Sequence, residues 1–432
     1  MLRSLFRGFR NSGSSPKPES PHPPVPGDAS RRALELYREG RYREVIEFLG
    51  SLPQSTPRDA ETLLIHGNAL QYQRRFAAAV AMYTPLIRTL EQAGPQYRSH
   101  LASVLIHCGL AYLRMNDFGP AKQRLDRAAE LTPDDPPAIG CARFPDLMRR
   151  SIDLRRSPLS PSASARRRWP VADPPLEIVY FFMGTAGDER FGEYCDLLSA
   201  SMASARRNVP ACRVVLLTDR ATVLPAEVKP DEIRRYDLAP AQLMVGRFRA
   251  VEAYLAEKVG RKQPVLAAFC DPDVVVNRDL RDAFASEFDV AVAARSNFVD
   301  ARLDHEPFTA GVTFVQGRDA EGPRRFFSLC LREFDAIAAW PEVVGFYPRP
   351  IHEWRGDQLV PAAIVGWRDY TEHVLAGRTD RLEVEGVVVA FLPSDPFCFT
   401  FEPSVAAEQL AKKYVIDFKG ARKRYMLERF SA

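Results

Sequence analysis

The spacing of apolar residues changes once along this chain, at Leu176, and that change limits the folds it can adopt. Before Leu176, apolar residues recur every three or four positions, the period of an amphipathic helix. After it, the short apolar runs LEIVYFF, CRVVLLTD and VLAAFC are separated by helix-period stretches such as QLMVGRFRAVEAYLAEKV. Strands that alternate with helices predict a mostly parallel sheet with helices on both faces. We therefore predict a helical domain followed by an α/β domain.

Segments rich in serine and proline separate these regions. Residues 1–28 include SGSSPKPESPHPPVPGD, and residues 154–175 include SPLSPSASARRRWPVADPP. Such compositions cannot bury an apolar core, so we predict a disordered N-terminus and a Pro/Ser/Arg-rich linker. The two folded domains are then predicted at 29–153 and 176–432.

Composition and charge exclude several classes of protein. Hydrophobic residues make up 46% of the 432 positions and charged residues 26%, as in ordinary globular proteins. A net charge of +4 is too small to indicate a nucleic-acid partner. No run is long and apolar enough for a transmembrane segment. The seven cysteines show no metal-ligand spacing and are expected to be reduced, which favours the cytoplasm, either free or peripheral to the inner face of the membrane.

The helical region repeats a pattern of small, aromatic and terminating residues. In the segment ASVLIHCGLAYLRMNDFGPAKQRLDRAAELTP these positions are Gly109, Tyr112, Ala121, Ala128 and Pro133. An earlier segment keeps the interval from glycine to alanine at Gly67 and Ala79, and a degraded one begins at Ala33. The pattern resembles two to three tetratricopeptide repeats, with a plain helical bundle as the alternative. Such repeats offer a curved surface for a protein partner.

Asp271 and Asp273 stand between two apolar runs, VLAAFC and VVV. Burying two carboxylates is costly unless positive charge compensates them. Ligands of α/β sheets bind beyond the carboxyl ends of the strands, and Asp271 is predicted to lie at such an end. The pair is therefore either an acidic turn, for which Asp-Pro-Asp is suitable, or a metal site.

This Asp-x-Asp pair resembles the metal site of GT-A glycosyltransferases, and further segments are similar to glycosyltransferase family 8. Tyr194, Ser201 and Ser204 lie on one predicted helix, as in that family's first helix, with helix packing and capping as the alternative. Arg247 begins the helix before the acids, where the family has an arginine that reaches the donor sugar and phosphate.

Two later segments are similar to the same family, with substitutions. In PFTAGVTFV, Ala310 and Gly311 match the family's Asn-Ala-Gly-Val strand, with Thr309 in place of the asparagine. RGDQLVPAAI resembles its Asp-Gln-Asp helix start at Asp357 and Gln358, with Leu359 replacing the second acid. Gly-Asp-Gln is also a good helix-capping sequence, so a capping role is the alternative.

The segment DFKGARK has the spacing of the family's closing His-x-x-Gly-x-x-Lys motif. In that motif the first residue binds the metal, the glycine allows close approach to the diphosphate, and the lysine pairs with it. The corresponding residues are Asp417, Gly420 and Lys423, with aspartate in place of histidine. An oxygen ligand suits Mg²⁺ or Mn²⁺ as well as imidazole does. The alternative is a basic amphipathic C-terminal helix.

The resemblance implies a GT-A-like nucleotide-sugar-binding domain preceded by an all-α tetratricopeptide-like repeat domain. It implies a glycosyltransferase that uses Mn²⁺ or Mg²⁺ to move a sugar, with retention, from a UDP-sugar-like donor to a protein or glycan acceptor recruited with the repeats. The implied residues are Asp357 and Gln358 for catalysis, Arg247, Asp271, Ala310, Gly311, Gly420 and Lys423 for the donor, and Asp271, Asp273 and Asp417 for the metal.

Two other functions are compatible with the sequence. The departures at Thr309, Leu359 and Asp417 allow a scaffold that binds a nucleotide sugar without turning it over. A nucleotidyltransferase would share the α/β architecture. Nucleotidyltransferases have a glycine-rich phosphate loop after the first strand. The nearest segment here is GTAGDERFG, and it lacks the basic residues that such a loop carries.

Overall fold

The computed structural model describes residues 28–53, 59–160, 174–184, 187–239, 241–295, 307–344, 349–403 and 405–430. Contacts within the chain divide it into two compact units that meet in sequence at Arg149 and Arg150. Most of the predicted N-terminal segment, residues 1–27, lies outside the described residues, as do residues 161–173 of the predicted linker.

The described part of the first unit is helical throughout. Its helices are α1 (Asp28–Arg38), α2 (Tyr42–Ser51), α3 (Ala60–Tyr72), α4 (Phe76–Gln92), α5 (Arg98–Arg114), α6 (Phe118–Leu131) and α7 (Pro136–Arg149). Each helix contacts the next one along the chain. Short turns make the pairs α3–α4 and α5–α6 antiparallel hairpins. The described helices lie between Asp28 and Arg149, and the assignment of the region 29–153 as a domain of tetratricopeptide repeats stays a prediction.

The small residues of the repeated pattern lie where these helix pairs approach closely. A Cβ atom added to Gly67 of α3 would lie 2.4 Å from Cε1 of Tyr83 in α4. A Cβ atom added to Gly109 of α5 would lie 2.6 Å from Cγ of Leu125 in α6. Tyr83 is fully buried, and its hydroxyl donates to Oδ1 of Asn68 and accepts from Nε2 of Gln71. The glycines thus set the distance between the paired helices.

We expect Gly67→Ala to lower the free energy of unfolding of this unit by about 1–3 kcal/mol, the usual cost of overpacking. The Tyr83 ring cannot move aside without breaking its hydrogen bonds. Gly119→Ala in α6 is the matched control, because no atom lies within 4 Å of the added Cβ. That change should stabilise the helix by up to about 1 kcal/mol. Denaturant unfolding of both variants tests the difference, and equal effects would contradict it.

The second unit contains a nine-stranded mixed sheet in the order β1-β9-β10-β7-β8-β5-β2-β3-β4. The strands are β1 (Arg156–Pro158), β2 (Glu177–Phe181), β3 (Arg213–Asp219), β4 (Glu232–Tyr236), β5 (Val265–Cys270), β7 (Val290–Ala294), β8 (Phe308–Gly317), β9 (Arg381–Val384) and β10 (Val387–Pro393). The described helices of eight or more residues are α8 (Phe191–Asn208), α9 (Leu243–Gly260), α10 (Glu321–Ala338), α11 (Gly356–Val365) and α12 (Lys423–Phe430).

Two sequence-based expectations about this unit are wrong. The sheet is not mostly parallel, because β8 runs antiparallel to both β5 and β7, and β9 runs antiparallel to β1 and β10. Strands joined by a two-residue turn, such as β9 and β10, can pair only in that direction. The predicted linker at 154–175 also contains β1, which pairs with β9 at the edge of the sheet.

A second, three-stranded sheet brings the C-terminal segment to the acidic pair. It is formed by β11 (Phe399–Thr400), β12 (Val415–Asp417) and β6 (Val274–Val276). In the antiparallel pairing of β12 with β6, Asp417 lies opposite Val274. The backbone N–H of Phe418 donates to the carbonyl of Asp273 at 3.0 Å. Residues more than 140 positions apart therefore meet at one end of β5.

Among the described residues, no helix combines the length and the apolar character needed to cross a bilayer.

Candidate active site

Arg247 connects four segments that the sequence analysis singled out separately. It lies in the second turn of α9, and its Nη1 is 2.6 Å from Oδ1 of Asp271 and 2.9 Å from Oδ2 of Asp357. Its Nη2 donates to the carbonyl of Ala310 in β8 at 3.1 Å. The guanidinium therefore joins the end of β5, the strand β8 and the first turn of α11. The planar fork of arginine suits such a multiple contact.

Asp357 is held by this contact and does not cap its helix. The helix α11 begins at Gly356, and its N-cap residue is Arg355, which makes no side-chain capping hydrogen bond. The side chain of Asp357 instead points to Arg247 and is about one-tenth exposed. The capping alternative for Asp357 is thus not what the structure shows. Gln358 accepts a long hydrogen bond, 3.5 Å, from Nη2 of Arg295.

Asp271 lies among several other carboxylates. Burial raises the pKa of the Asp271 carboxyl to about 7, although Arg247 acts to lower it. The carboxylates of Asp273, Asp357 and Asp417 raise this pKa further. A group of acids that raise one another's pKa favours the binding of additional positive charge.

Lys423, the first residue of α12, is paired with the second acid. Its Nζ lies 2.6 Å from Oδ2 of Asp273 and donates to the hydroxyl of Tyr194 at 2.9 Å. The ammonium also lies 4.3 Å from the centre of the Tyr194 ring. Burial alone would lower the pKa of Lys423, but these two partners raise it above its ordinary value. Lys423 is therefore a fixed positive charge beside the acidic pair.

Tyr194 and the two serines of α8 have different roles. Tyr194 contacts Lys423, whereas the hydroxyl of Ser201 donates to the hydroxyl of Tyr180 in β2. Ser204 accepts from the backbone N–H of Val276 and donates to the carbonyl of Ser201. The serines attach the helix to its neighbouring strands, which is the packing alternative for these two residues.

Asp417 and Gly311 lie against each other beside the acidic pair. Asp417 is 2% exposed, and its Oδ2 is 3.2 Å from Nζ of Lys419. A Cβ atom added to Gly311 would lie 3.2 Å from that Oδ2 and 2.8 Å from Sγ of Cys398. Glycine is favoured here because the Cys398 sulfur occupies the space of a side chain and the Asp417 carboxylate lies close behind it. The carbonyl of Gly311 also accepts from the backbone N–H of Asp271.

The remaining predicted positions have other surroundings. Gly420 is exposed and has φ +57, and a Cβ atom added there would have no neighbour within 4 Å, so its backbone conformation is what favours glycine. Thr309 is 3% exposed and Leu359 1% exposed, so both substituted positions are buried.

Lys419 and Arg295 were missed by the sequence analysis. Lys419 stands two residues after Asp417. Arg295 directly follows the apolar strand VAVAA, and a basic residue at the end of a strand is the feature of the sequence that could have indicated it.

The donor chemistry of the acids fits a divalent cation. Asp271, Asp273 and Asp417 offer carboxylate oxygens, which suit Mg²⁺ and Mn²⁺. Over the ranges that the structure describes, no group of three or more His, Cys, Asp or Glu side chains is arranged to hold a metal ion. The three acids instead contact Arg247, Lys423 and Lys419, so a cation would compete with these basic groups.

Comparison with known proteins gives remote similarities. No family model and no curated protein matches this chain. Among solved structures, the chain is similar to the glycosyltransferase GlyE of Streptococcus pneumoniae TIGR4, with 13% identity and a TM-score of 0.36 over 60% of this chain and 58% of that one. It is similar to an active-site mutant of LgtC, with 13% identity and a TM-score of 0.33 over 56% and 87% of the two chains.

A third similar structure is a glycosyltransferase involved in glycosylation of the major capsid of PBCV-1. The identity is 12% and the TM-score 0.33, over 59% of this chain and 99% of that one. The chain spans less than two thirds of the length of GlyE. These solved structures are glycosyltransferases.

Proposed function

We propose that the second unit is a glycosyltransferase domain of the GT-A type, which moves a sugar from a nucleotide-diphosphate donor to a protein or glycan acceptor. The observation that carries this proposal is the convergence of Asp271, Asp273, Arg247, Asp357 and Lys423. They come from separate segments of the chain and are linked by contacts of 2.6–2.9 Å at the end of β5. These are the segments whose order in the sequence resembles family 8, which also makes a UDP-sugar the proposed donor.

The basic residues suit the departure of a diphosphate. As the bond between sugar and diphosphate breaks, negative charge grows on the leaving oxygens, and prepositioned positive groups lower the energy of that state. Lys423 and Arg247 are partly buried and held in place by the contacts described above. Asp271 and Asp273, with Asp417 as a third ligand, are proposed to hold Mn²⁺ or Mg²⁺. When bound, such an ion supplies Lewis-acid stabilisation of the same charge.

Asp357 is the proposed catalytic carboxylate. Arg247 orients it toward the acidic pair, beside which the donor sugar would lie. A carboxylate there would stabilise the positive charge that develops on the sugar ring, and Gln358 is the adjacent proposed catalytic residue. Retention of configuration is part of the proposal through the family resemblance. Ala310, Gly311 and Gly420 are proposed to contact the donor through backbone atoms.

A second candidate function is a scaffold that binds a nucleotide sugar without turning it over. The observation that favours it is the burial of Leu359, which stands where the family has a second acid and is 1% exposed. A leucine at this place supplies neither a proton acceptor nor a ligand. Binding would be retained, because Lys423 and Arg247 do not depend on that acid.

Hydrolysis of UDP- and GDP-sugars, with and without Mn²⁺, tests these two functions. The transferase proposal predicts metal-dependent release of free sugar and nucleotide diphosphate from at least one donor. Donor binding in calorimetry with no release would favour the scaffold. Absence of both binding and release would contradict both functions.

The first unit is proposed to recruit the acceptor or a partner protein. A truncated chain should begin at Arg150, not inside the predicted linker, because β1 belongs to the sheet. This chain is expected to hydrolyse the donor at the full-length rate and to transfer the sugar to the acceptor more slowly.

A further inference from the structure

A small cavity adjoins the candidate active site, at a place where the pairing of β7 with β8 is irregular. Val292 of β7 pairs with Thr313 of β8, and the next residue of β7, Ala293, pairs with Thr309. The residues of β8 between these two partners have no counterpart in β7 and form a bulge. Bulges beside active sites redirect side chains. The cavity at this bulge has a volume of about 20 Å³, enough for a single water-sized group.

The walls of this cavity combine residues of the candidate active site with phenylalanine rings. Arg247 and Asp357 line one part of it. Phe248, Phe269 and Phe327 line another part and are 3–5% exposed. The centre of the Phe327 ring lies 5.9 Å from that of Phe248 and 6.0 Å from that of Phe269. The rings hold one another in place, so the apolar wall is fixed before any ligand binds.

Thr309 brings a hydroxyl group into these apolar surroundings. The residue lines the cavity and is 3% exposed. Its Oγ1 makes no hydrogen bond with any residue that the structure describes. The thiol of Cys398 lies near this hydroxyl, but sulfur is a weak hydrogen-bond partner. A buried hydroxyl without a strong partner costs free energy, so the cavity favours a ligand that supplies one.

We propose that this cavity receives the acetamido group of the donor sugar, which makes a nucleotide-diphospho-N-acetylhexosamine the preferred donor. The inference rests on the proposed function and narrows the class of its donor. An acetamido group carries a methyl group beside an amide. The methyl group would be buried against the phenylalanine rings. The amide would form a hydrogen bond with the Thr309 hydroxyl, which can donate or accept.

Other common substituents of a sugar ring meet only one of these requirements. A hydroxyl group would pair with Thr309 but would leave the apolar wall in contact with a polar group. The methyl group of a 6-deoxy sugar would suit the wall but would leave the Thr309 hydroxyl without a strong partner. The acetamido group meets both requirements, so the cavity discriminates between donors that differ at this substituent.

The test compares hydrolysis of two matched pairs of donors by the full-length chain in the presence of Mn²⁺. One pair is UDP-N-acetylglucosamine and UDP-glucose, and the other is UDP-N-acetylgalactosamine and UDP-galactose. Within each pair the donors differ only in the acetamido group, which replaces one hydroxyl. GDP-mannose is a further arm. We expect kcat/KM to be at least about tenfold higher for the acetamido donor of one or both pairs, since an apolar pocket discriminates by about 10- to 200-fold.

Two substitutions connect this preference to the cavity, and each is judged by the ratio of kcat/KM within the preferred pair. Val292→Ile adds a methyl group to the cavity wall and should lower the ratio by at least about tenfold. Thr309→Val keeps the shape of the side chain and removes its hydroxyl, so it should lower the ratio by about threefold to tenfold. Val388→Ile changes a partly buried residue of β10 that does not line the cavity. This control should leave the ratio unchanged.

The outcomes separate this inference from the proposed function. Equal hydrolysis within both pairs, a preference for the unsubstituted sugars, or hydrolysis of GDP-mannose alone overturns the inference and leaves the transferase proposal standing. A ratio that is unchanged in Thr309→Val or in Val292→Ile also overturns it, because the cavity then holds an ordered water only. If no donor is hydrolysed, the transferase proposal fails and the inference fails with it. Should Val292→Ile lack the circular dichroism of the native fold, Thr309→Val decides: a lower ratio supports the inference, and an unchanged one overturns it.

Discussion

Replacing Asp271 and Asp273 together with asparagine is expected to slow donor hydrolysis by at least about 10³-fold, since a bound cation contributes several kcal/mol to the stabilisation of a leaving group. Asparagine keeps the volume of each side chain and removes its charge. Arg247 would still contact Asp357 and the Ala310 carbonyl, so the fold should be retained. Hydrolysis rates measure the loss of activity, and thermal unfolding measures whether the fold is retained. Calorimetry with UDP and Mn²⁺ measures metal-dependent binding of the nucleotide.

The matched control is Asp319→Asn. This acid is exposed and follows β8 at the end of the sheet opposite to Asp271. Its side chain accepts from the backbone N–H of Glu321, a contact that asparagine can also make. The control variant should hydrolyse the donor at the native rate. Metal-dependent UDP binding that survives in the double variant would show that the acidic pair is a turn and not a metal site.

Arg247→Met is expected to lower the free energy of unfolding by about 3–5 kcal/mol, because it leaves two partly buried carboxylates without their shared partner. Arg247→Lys keeps the charge but cannot reach both carboxylates and the carbonyl together, so it should recover part of the stability and little of the activity. Denaturant unfolding in metal-free buffer measures the loss.

The destabilisation by Arg247→Met should depend on pH. The pKa of Asp271, about 7, is above that of the unfolded chain, so folding takes up a proton between these values and stability falls as the pH rises. Without Arg247 this pKa rises further, so the loss caused by the substitution should be larger at pH 8 than at pH 5. Arg206→Met removes an exposed pair with Asp231 and should cost less than about 1 kcal/mol at either pH. If Arg247→Met lowered the free energy of unfolding equally at pH 5 and pH 8, this account of the Asp271 environment would be contradicted.

Local patterns predicted the individual elements of the second unit well. The run VLAAFC is β5 without a change of boundary, and LEIVYFF and CRVVLLTD contain β2 and β3. The predicted helix QLMVGRFRAVEAYLAEKV corresponds to α9 within one residue at each end, and Tyr194, Ser201 and Ser204 lie on one helix, α8, as predicted. Apolar period and β-branched composition act over a few residues, so a short window of sequence is enough to read them.

Local patterns could not predict which strands pair when the strands are far apart in the sequence. β1 lies in a segment whose composition is typical of a linker, and it is a strand because Arg156 pairs with Val384, more than 200 residues away. The insertion of β8 between β5 and β7 reverses the direction expected for a parallel sheet. An edge strand needs little apolar alternation, and strand direction depends on the path of the chain between strands.

The same division holds for the candidate site. The sequence alone determined which acids and bases are candidates for the chemistry, because the resemblance of its segments to glycosyltransferase family 8 singled out Asp271, Asp273, Arg247 and Lys423. Only the tertiary structure decided that Arg247 faces Asp271 and that Lys423 faces Asp273. Ion pairing depends on distances of a few ångströms between side chains. The side chains at the end of β5 and in α9 and α12 come this close only in the folded chain, because these elements are far apart in sequence.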